Sequence, residues 1–172
     1  MGAIESSTLR LEPLVAAHAE EMFGPMSDPA IYEFMPGAPP LSVEALSTRY
    51  VQLERGHSAD GNERWLNWVV RLDSAQCAGF VQATIHPGFT ADFAFVFAPA
   101  HWGRGVAFEA CHAALPILAR DFGILELFAT ADPRNICSIR LLGRLGFREI
   151  ASVDYPHGET EPNDRIFSKE LR

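Results

Sequence analysis

The chain has 172 residues, of which 48% are hydrophobic and 21% are charged, a balance typical of one folded domain that spans residues 1–172. Its formal net charge of −8 argues against a nucleic-acid-binding surface, and no apolar run approaches the ~20 residues of a membrane span. Cys77, Cys111 and Cys137 are odd in number and widely spaced, and the six histidines form no HExxH motif, so we expect a cytoplasmic protein without a disulfide scaffold or a metal site.

The first third of the chain predicts one short strand followed by helical segments. Residues 8–12 alternate as a strand, and a helix is expected over 14–23, ended by Gly24 and Pro25. A further helical turn is expected within 28–35. Ser42 has the character of an N-cap for a helix that runs toward Arg55, and residues 56–64 form a polar loop.

The rest of the chain alternates between strand and helix patterns. Three strands joined by hairpin turns are expected over 65–71, 77–85 and 91–97. A helix follows over 106–122, in which Pro116 predicts a kink or an interruption. The remaining elements are a strand over 124–130, a helix over 135–145 that ends at Gly146, and strands over 147–154 and 165–171.

This order of elements predicts the fold class. Consecutive hairpins indicate an antiparallel half of a sheet, and the later strand–helix–strand unit indicates a parallel pair joined by a crossover. We therefore expect an α/β fold of α+β character, with a mixed, mostly antiparallel central sheet and flanking helices.

The segment Trp102-Gly-Arg-Gly105 lies where the third hairpin strand gives way to a helix. Two glycines there are consistent with a tight turn, or with backbone N–H groups that bind a phosphate at a helix start. No GK[ST] follows, so a P-loop is excluded, and Phe108 stands where a dinucleotide fingerprint needs its third glycine.

Two stretches together resemble the GNAT acetyltransferase superfamily, and most closely its RimJ/RimL-like branch. They are FAPAHWGRGVAFEA over 97–110 and NICSIRLLGRLGFRE over 135–149. The first carries a proline, a Trp-Gly-basic-Gly turn and Glu-Ala; the second carries Asn-x-x-Ser, a leucine and Gly-Phe. The order of predicted elements also matches this superfamily over nearly the whole chain.

The resemblance implies that acetyl-CoA is the co-substrate and that a primary amine, on a small molecule or a protein N-terminus, is the acceptor. It implies that two parallel strands splay apart and that pantetheine binds the open edge of the first at Phe95, Val96 and Phe97. The pyrophosphate would then lie on the N–H groups of Gly103, Arg104, Gly105, Val106, Ala107 and Phe108. Asn135 is a further expected cofactor contact, and no metal is implied.

Catalytic residues are suggested by the resemblance and by elementary chemistry. In RimL-like relatives the serine of Asn-x-x-Ser lies near the sulfur, so Ser138 is the candidate that stabilises the leaving thiolate. Leu142 stands where many GNAT proteins carry a tyrosine. The alternative for Ser138 and Asn135 is simple capping of a helix.

The base that deprotonates the amine is expected to be Asp92, acting through water because it lies about 10 Å along the strand from Phe95. A solvated turn carboxylate is the alternative for Asp92. Rival candidates for the base are Asp132, Asp154 and His157.

Acceptor recognition is assigned to the early helices and loops. Candidate residues are Tyr32, Phe34, Met35 and either Trp65 or Trp68. Two other functions remain open at this point, namely a non-catalytic acyl-CoA-binding or regulatory module and a structural domain whose glycines serve only the turn. A homodimer is also compatible with the sequence.

Overall fold

The computed structural model describes residues 1–158 and 160–171. In this part of the chain the strands are β1 Ile4–Glu5, β2 Leu9–Pro13, β3 Arg64–Leu72, β4 Cys77–His86, β5 Thr90–Phe97, β6 Glu126–Ala131, β7 Arg148–Ile150 and β8 Arg165–Glu170. The α-helices are α1 Ala19–Met26, α2 Val43–Glu54, α3 Val106–Phe122 and α4 Ile136–Arg144. Short 3-10 turns cover Ala16–His18, Pro29–Glu33, Pro99–His101 and Ser152–Asp154.

All eight strands form one sheet in the order β1-β2-β3-β4-β5-β6-β8-β7. Neighbouring strands are antiparallel except β5 and β6, which are parallel and are connected through α3. The predicted fold class, a mixed and mostly antiparallel sheet with one parallel pair and flanking helices, is confirmed.

The sheet separates two hydrophobic cores. The larger core includes residues of α3 and α4, and Phe93 and Phe97 of β5 belong to it. The smaller core includes residues of α1 and α2, against which Val96 packs. Because side chains alternate along a strand, β5 contributes its odd-numbered residues to one core and its even-numbered residues to the other.

Several predicted elements match the observed ones closely. Ser42 caps α2 by accepting a hydrogen bond from the N–H of Ala45 at 3.2 Å. Helix α3 has the predicted bounds and continues through Pro116 without a break. Buried side chains on both sides of this proline, among them Ala114 and Leu118, keep the helix against the sheet.

The predicted end of the first helix at Gly24 and Pro25 is wrong, because α1 runs to Met26 with Pro25 in its last turn. Met22 and Met26 are both buried, so burial of this face outweighs the one backbone hydrogen bond that proline removes. The strand β1, which pairs with β2, was not predicted from its two residues.

The strand predicted over 147–154 is also wrong in its second half. Strand β7 ends at Ile150, and the chain then turns through Ser152–Asp154. β7 lies at the edge of the sheet and has only β8 as a partner, so little holds an extended conformation beyond Ile150. No helix in the described part of the chain is long and apolar enough to span a membrane.

Candidate active site

A gap opens between the two parallel strands. Pairing of β5 with β6 begins at Thr90 with Glu126 and ends at Asp92 with Phe128. Beyond this point β5 continues to Phe97 paired only with β4, while β6 continues to Ala131 paired only with β8. The two strands are therefore paired along their first residues, and no ladder joins their carboxyl halves.

The alternation of hydrogen bonds along β5 identifies the backbone groups that face this gap. Ala98 donates its N–H to the carbonyl of Ala78 on the β4 side, so the even-numbered residues of β5 bond to β4. The odd-numbered Phe95 and Phe97 therefore direct their backbone groups away from β4. Val96 was also predicted to form the open edge, but it does not face the gap, because its backbone belongs to the β4 ladder.

The glycine turn follows at the end of β5. Gly103 and Gly105 have φ of +70° and +82°, and no atom lies within 4 Å of the position that a Cβ would take at either residue. The left-handed backbone therefore requires glycine at these positions, while the space beside them stays open. Arg104 between them is exposed.

The N-terminus of α3 has no side-chain cap. Gly105 is its N-cap residue, and its carbonyl accepts from the N–H of Glu109. The N–H groups of Val106, Ala107 and Phe108 form the first turn, where no intrahelical acceptor exists. This helix end carries the partial positive charge that attracts an anion.

Trp102 fixes the geometry between strand and turn. Its indole N–H donates to the carbonyl of Phe97 at 2.7 Å, although the side chain is 51% exposed. This bond occupies the Phe97 carbonyl, so Phe97 retains its N–H for the gap.

Helix α4 follows β6, and its N-terminus has a side-chain cap. Asn135 accepts a hydrogen bond from the N–H of Ser138 at 3.1 Å through its side-chain oxygen. The capping alternative for Asn135 is therefore realised, and its amide NH₂ group remains available. Ser138 is half-buried, and its hydroxyl has no hydrogen-bond partner among residues 1–158 and 160–171.

Asp92, at the point where β5 and β6 diverge, is the centre of a hydrogen-bonded cluster. Its Oδ2 lies 2.9 Å from Nε2 of His86. Its Oδ1 lies 2.9 Å from Nδ1 of His157 and accepts a hydrogen bond of 2.9 Å from the Tyr155 hydroxyl. Nε2 of His157 lies 2.8 Å from Oγ1 of Thr90.

Aromatic contacts hold this Asp92 cluster together. The rings of His86 and His157 stack with centroids 3.9 Å apart, and Phe128 contacts Tyr155 and His157 edge-on. Burial and the negative charge of Asp92 raise the pKa of Tyr155, so the phenol stays protonated and donates. The expected base Asp92 and one of its predicted rivals, His157, are thus partners in one cluster.

The other rivals lie apart from the cluster. Asp132 is paired with Arg134 at 2.6 Å, and hydrogen bonds from this arginine lower the pKa of Asp132. Asp154 is exposed in its 3-10 turn. His86 and Tyr155 were not predicted from the sequence. For His86 the signal is the register of the β4–β5 hairpin, which pairs it with Thr90, two residues before Asp92.

The Asp92 cluster also bears on the predicted absence of a metal. Among the described residues, ligand atoms of His86, Asp92 and His157 lie within 4.8 Å of one another. Both oxygens of Asp92 already accept hydrogen bonds within the cluster, which accounts for the arrangement without an ion. The absence of a metal stays a prediction, which metal analysis of the purified protein tests.

A cavity of about 220 Å³ lies on the same face of the sheet as Asp92. Its wall includes Val96 of β5 together with Phe80 and Gln82 of β4, which pair with Val96 and Ala94. Side chains of the early helices and loops close it, among them Tyr32 and Met35. Tyr32 and Met35, which the sequence assigns to acceptor recognition, therefore both line this cavity, and their role stays a prediction.

The other aromatic candidates lie elsewhere. Trp68 is fully buried in the larger core, on the opposite side of the sheet. Trp65 donates its indole N–H to Glu63, and Phe34 contacts the guanidinium of Arg134, 5.6 Å from its ring centroid. None of these three lines the cavity.

Glu109, in the Glu-Ala part of the first motif, binds the N-terminal segment. Its carboxylate accepts hydrogen bonds from the hydroxyls of Ser6, Ser7 and Thr8 and from the N–H of Thr8, at 2.7 to 3.0 Å. Burial opposes ionisation of this carboxyl, but the hydrogen bonds from Ser6, Thr8 and Ser7 outweigh it and lower the pKa of Glu109 to about 2. Glu109 thus attaches residues 6–8 to α3.

Comparison with known proteins identifies a matching family model and similar folds. The family model described as an acetyltransferase (GNAT) domain matches residues 8–148. The structure is similar to that of a GNAT-family acetyltransferase from Bacillus anthracis, with a TM-score of 0.78, 20% identity and 98% of both chains covered. It is also similar to a ribosomal-protein-S5-alanine acetyltransferase from Vibrio fischeri, with a TM-score of 0.77, 18% identity and coverage of 98% of this chain and 96% of that one.

Proposed function

The chain belongs to the GNAT acetyltransferase family, and from this premise we propose that it transfers the acetyl group of acetyl-CoA to a primary amine, by direct attack of the amine on the thioester. The family supports acyl transfer from acetyl-CoA. Direct attack, the class of acceptor and assignment to the RimJ/RimL-like branch are our proposals. Similarity to ribosomal-protein acetyltransferases from Vibrio fischeri and Vibrio cholerae, at 18% and 15% identity, is compatible with that branch.

The proposed cofactor site joins the β5 edge to the glycine turn. Pantetheine would lie in the gap, with its amides on the backbone groups of Phe95 and the N–H of Phe97. The pyrophosphate would accept from the N–H groups of residues 103–108, where the uncapped α3 N-terminus and Arg104 supply positive charge. The amide NH₂ of Asn135 is available for a cofactor contact.

Acetyl transfer to an amine requires a neutral nucleophile, stabilisation of the oxyanion and a leaving thiolate. In the proposed mechanism Asp92 and its histidine partners receive the proton that the ammonium loses, directly or through water. The amine nitrogen then bonds to the carbonyl carbon, and an N–H of the open edge stabilises the oxyanion. The C–S bond then breaks, the nitrogen releases its remaining extra proton, the thiolate takes up a proton to leave as free thiol, and Ser138 donates a hydrogen bond to the thiolate while it is charged.

The single observation that carries this proposal is the register of β5 and β6. Their ladder ends after Asp92, and the unpaired edge beyond it leads directly to an uncapped helix N-terminus. Unpaired backbone donors in this arrangement fit an extended amide chain that ends in a diphosphate. The same register puts Asp92 at the closed end of the gap.

Release of free thiol from acetyl-CoA in the presence of a panel of amines tests the proposal. We expect turnover with at least one acceptor, and Ser138→Ala should lower kcat about tenfold because the thiolate loses a neutral hydrogen bond. Thr48→Ala, which removes an exposed hydroxyl on α2, is the control. Tight CoA binding without turnover for any amine would instead identify a non-catalytic acyl-CoA-binding module.

A further inference from the structure

The cavity beside Val96 has a distinctive distribution of charge. Arg49 of α2 is the charged side chain among the residues that line it, and no carboxylate from the described part of the chain lines it. Apolar groups, including Leu14, Met26 and Ile31, make up much of the remaining wall. The protein as a whole is strongly acidic, so this positive, carboxylate-free cavity departs from the average of its surface.

The pKa values of two tyrosines that line the cavity, Tyr32 and Tyr50, depend on burial and on the charge of Arg49. Burial raises the pKa of the half-buried Tyr32 and of the buried Tyr50, so both phenols stay in their neutral form. The positive charge of Arg49 acts on both phenols in the opposite direction. The field of this guanidinium therefore reaches the cavity, where it favours an anion and disfavours a second cation.

Tyr50 adds an unused hydrogen-bonding group. Its side chain is 2% exposed, and its hydroxyl has no hydrogen-bond partner in residues 1–158 and 160–171. The Tyr32 hydroxyl, by contrast, donates to the carbonyl of Met26 at 2.9 Å. A buried hydroxyl without a partner is unfavourable, so an oxygen acceptor brought into the adjoining cavity would gain a donor there.

The volume of the cavity limits the size of the group that can bind there. A volume of about 220 Å³ corresponds to about seven water molecules at ~30 Å³ each, which suits one amino-acid-sized group. A second, larger cavity contains the acidic Glu21 and Asp28, but it is lined by no residue of β5 between 90 and 97. Of these two cavities, only the smaller is lined by a residue of β5, Val96.

We infer that the acceptor is a monoamine of amino-acid size with an apolar side chain and a carboxylate, and that Arg49 binds this carboxylate. This inference rests on the proposed acetyl transfer and specifies its substrate class. The same field that binds the carboxylate disfavours the ammonium form of the acceptor, which assists loss of the proton before attack. Polycationic amines, which need carboxylates around them, are correspondingly poor substrates.

Matched acceptors test the inference. L-leucine, L-methionine and L-phenylalanine are compared with their methyl esters and decarboxylated amines, with spermidine as the polycation. We expect kcat/KM to be about tenfold higher for the acids, because the esters and the decarboxylated amines lack the charge-assisted contact with Arg49. The amine of an ester is no more basic than that of the acid, so amine protonation cannot produce this preference.

Variants of α2 localise the effect. Arg49→Gln should reduce the preference for the acids to about twofold or less, Arg49→Lys should retain most of it, and KM for acetyl-CoA should not change. Arg55→Gln, at the exposed end of the same helix, is the matched control and should leave the preference unchanged. Tyr50→Phe should raise KM for the acids several-fold without lowering the midpoint of thermal unfolding.

Two results would overturn the inference: an unchanged preference in Arg49→Gln, or faster turnover of esters or spermidine than of the acids. Calorimetric titration of L-leucine into the CoA-bound protein gives a readout without turnover, and Arg49→Gln should weaken this binding about tenfold. If no amine is acetylated but L-leucine binds through Arg49, acetyl transfer fails while the assignment of the cavity stands.

Discussion

The two ends of strand β5 differ in how far their polar groups are satisfied. At its start β5 is paired on both sides, and the Asp92 carboxylate accepts hydrogen bonds on both oxygens. At its end the edge toward β6 is unpaired, and it leads to a helix N-terminus without a side-chain cap. The closed end fixes a charged group in one orientation, whereas the open end leaves donors free for a ligand.

The largest expected effect comes from disturbing the closed end. Asp92→Asn replaces a carboxylate that accepts from Tyr155 and the histidines with an amide whose NH₂ group cannot accept. Because the proton from the amine then lacks its anionic partner, we expect kcat to fall about 100-fold. Steady-state kinetics with saturating acetyl-CoA and acceptor measure this.

The affinity of the Asp92→Asn variant for CoA should equal that of the wild type, because the open end is unchanged. Tyr155→Phe is the companion variant, since it removes one donor and keeps the carboxylate, and its effect on kcat should be much smaller. An unchanged kcat in Asp92→Asn would assign the cluster a structural role only.

The second effect concerns the open end. Gly105→Glu introduces a negative charge where the α3 N-terminus is proposed to bind the pyrophosphate, and we expect CoA affinity to fall about 30-fold, or ~2 kcal/mol. Gly105→Ala is the matched control, because both variants carry the strain of a side chain at φ +82°. Calorimetric titration with CoA compares them.

Equal affinity of the Glu and Ala variants for CoA, with both folded by circular dichroism, would show that the glycines serve only the turn. That result would contradict the cofactor site while leaving the fold unaffected.

The smallest effect concerns Glu109, which attaches the N-terminal segment to the helix that begins at the open end. Its pKa lies near 2 in the folded protein, below the ordinary 4.5, so the carboxylate stabilises the fold above about pH 5. This contribution is lost as the pH falls toward 2. Because the group is partly exposed, we expect Glu109→Gln to lower the free energy of unfolding by about 1–2 kcal/mol at pH 7.

Urea unfolding of wild type and Glu109→Gln between pH 7 and pH 3 should show the two stabilities converging as the pH falls. Glu161→Gln, at an exposed position outside the helices and strands, is the control and should show no such convergence. A difference between Glu109→Gln and wild type that does not depend on pH would contradict the assignment.

The sequence predicted the elements whose signals are local. The Ser42 cap, the helix end at Gly146 and the strand over 91–97 are readable because each depends on neighbours within a few residues. Prediction failed where tertiary contacts decide, as at Pro25, where burial of Met26 extends α1 past a proline.

The candidate site likewise has parts that local sequence predicts and parts that depend on tertiary contacts. The glycine turn is contiguous in sequence and was identified from it. The Asp92 cluster was only partly anticipated, because His86, Tyr155 and His157 meet through strand register and through the segment after β7, which no local pattern reveals. The positive cavity at Arg49 likewise depends on how α2 packs against α1 and the sheet.

The half-exposed indole of Trp102 has a practical consequence. It is anchored to the last residue of β5 at the mouth of the gap, whereas Trp68 is shielded from solvent inside the core. The protein thus carries an intrinsic fluorophore at the mouth of the proposed coenzyme site, so its emission offers a label-free optical signal that tests ligand entry.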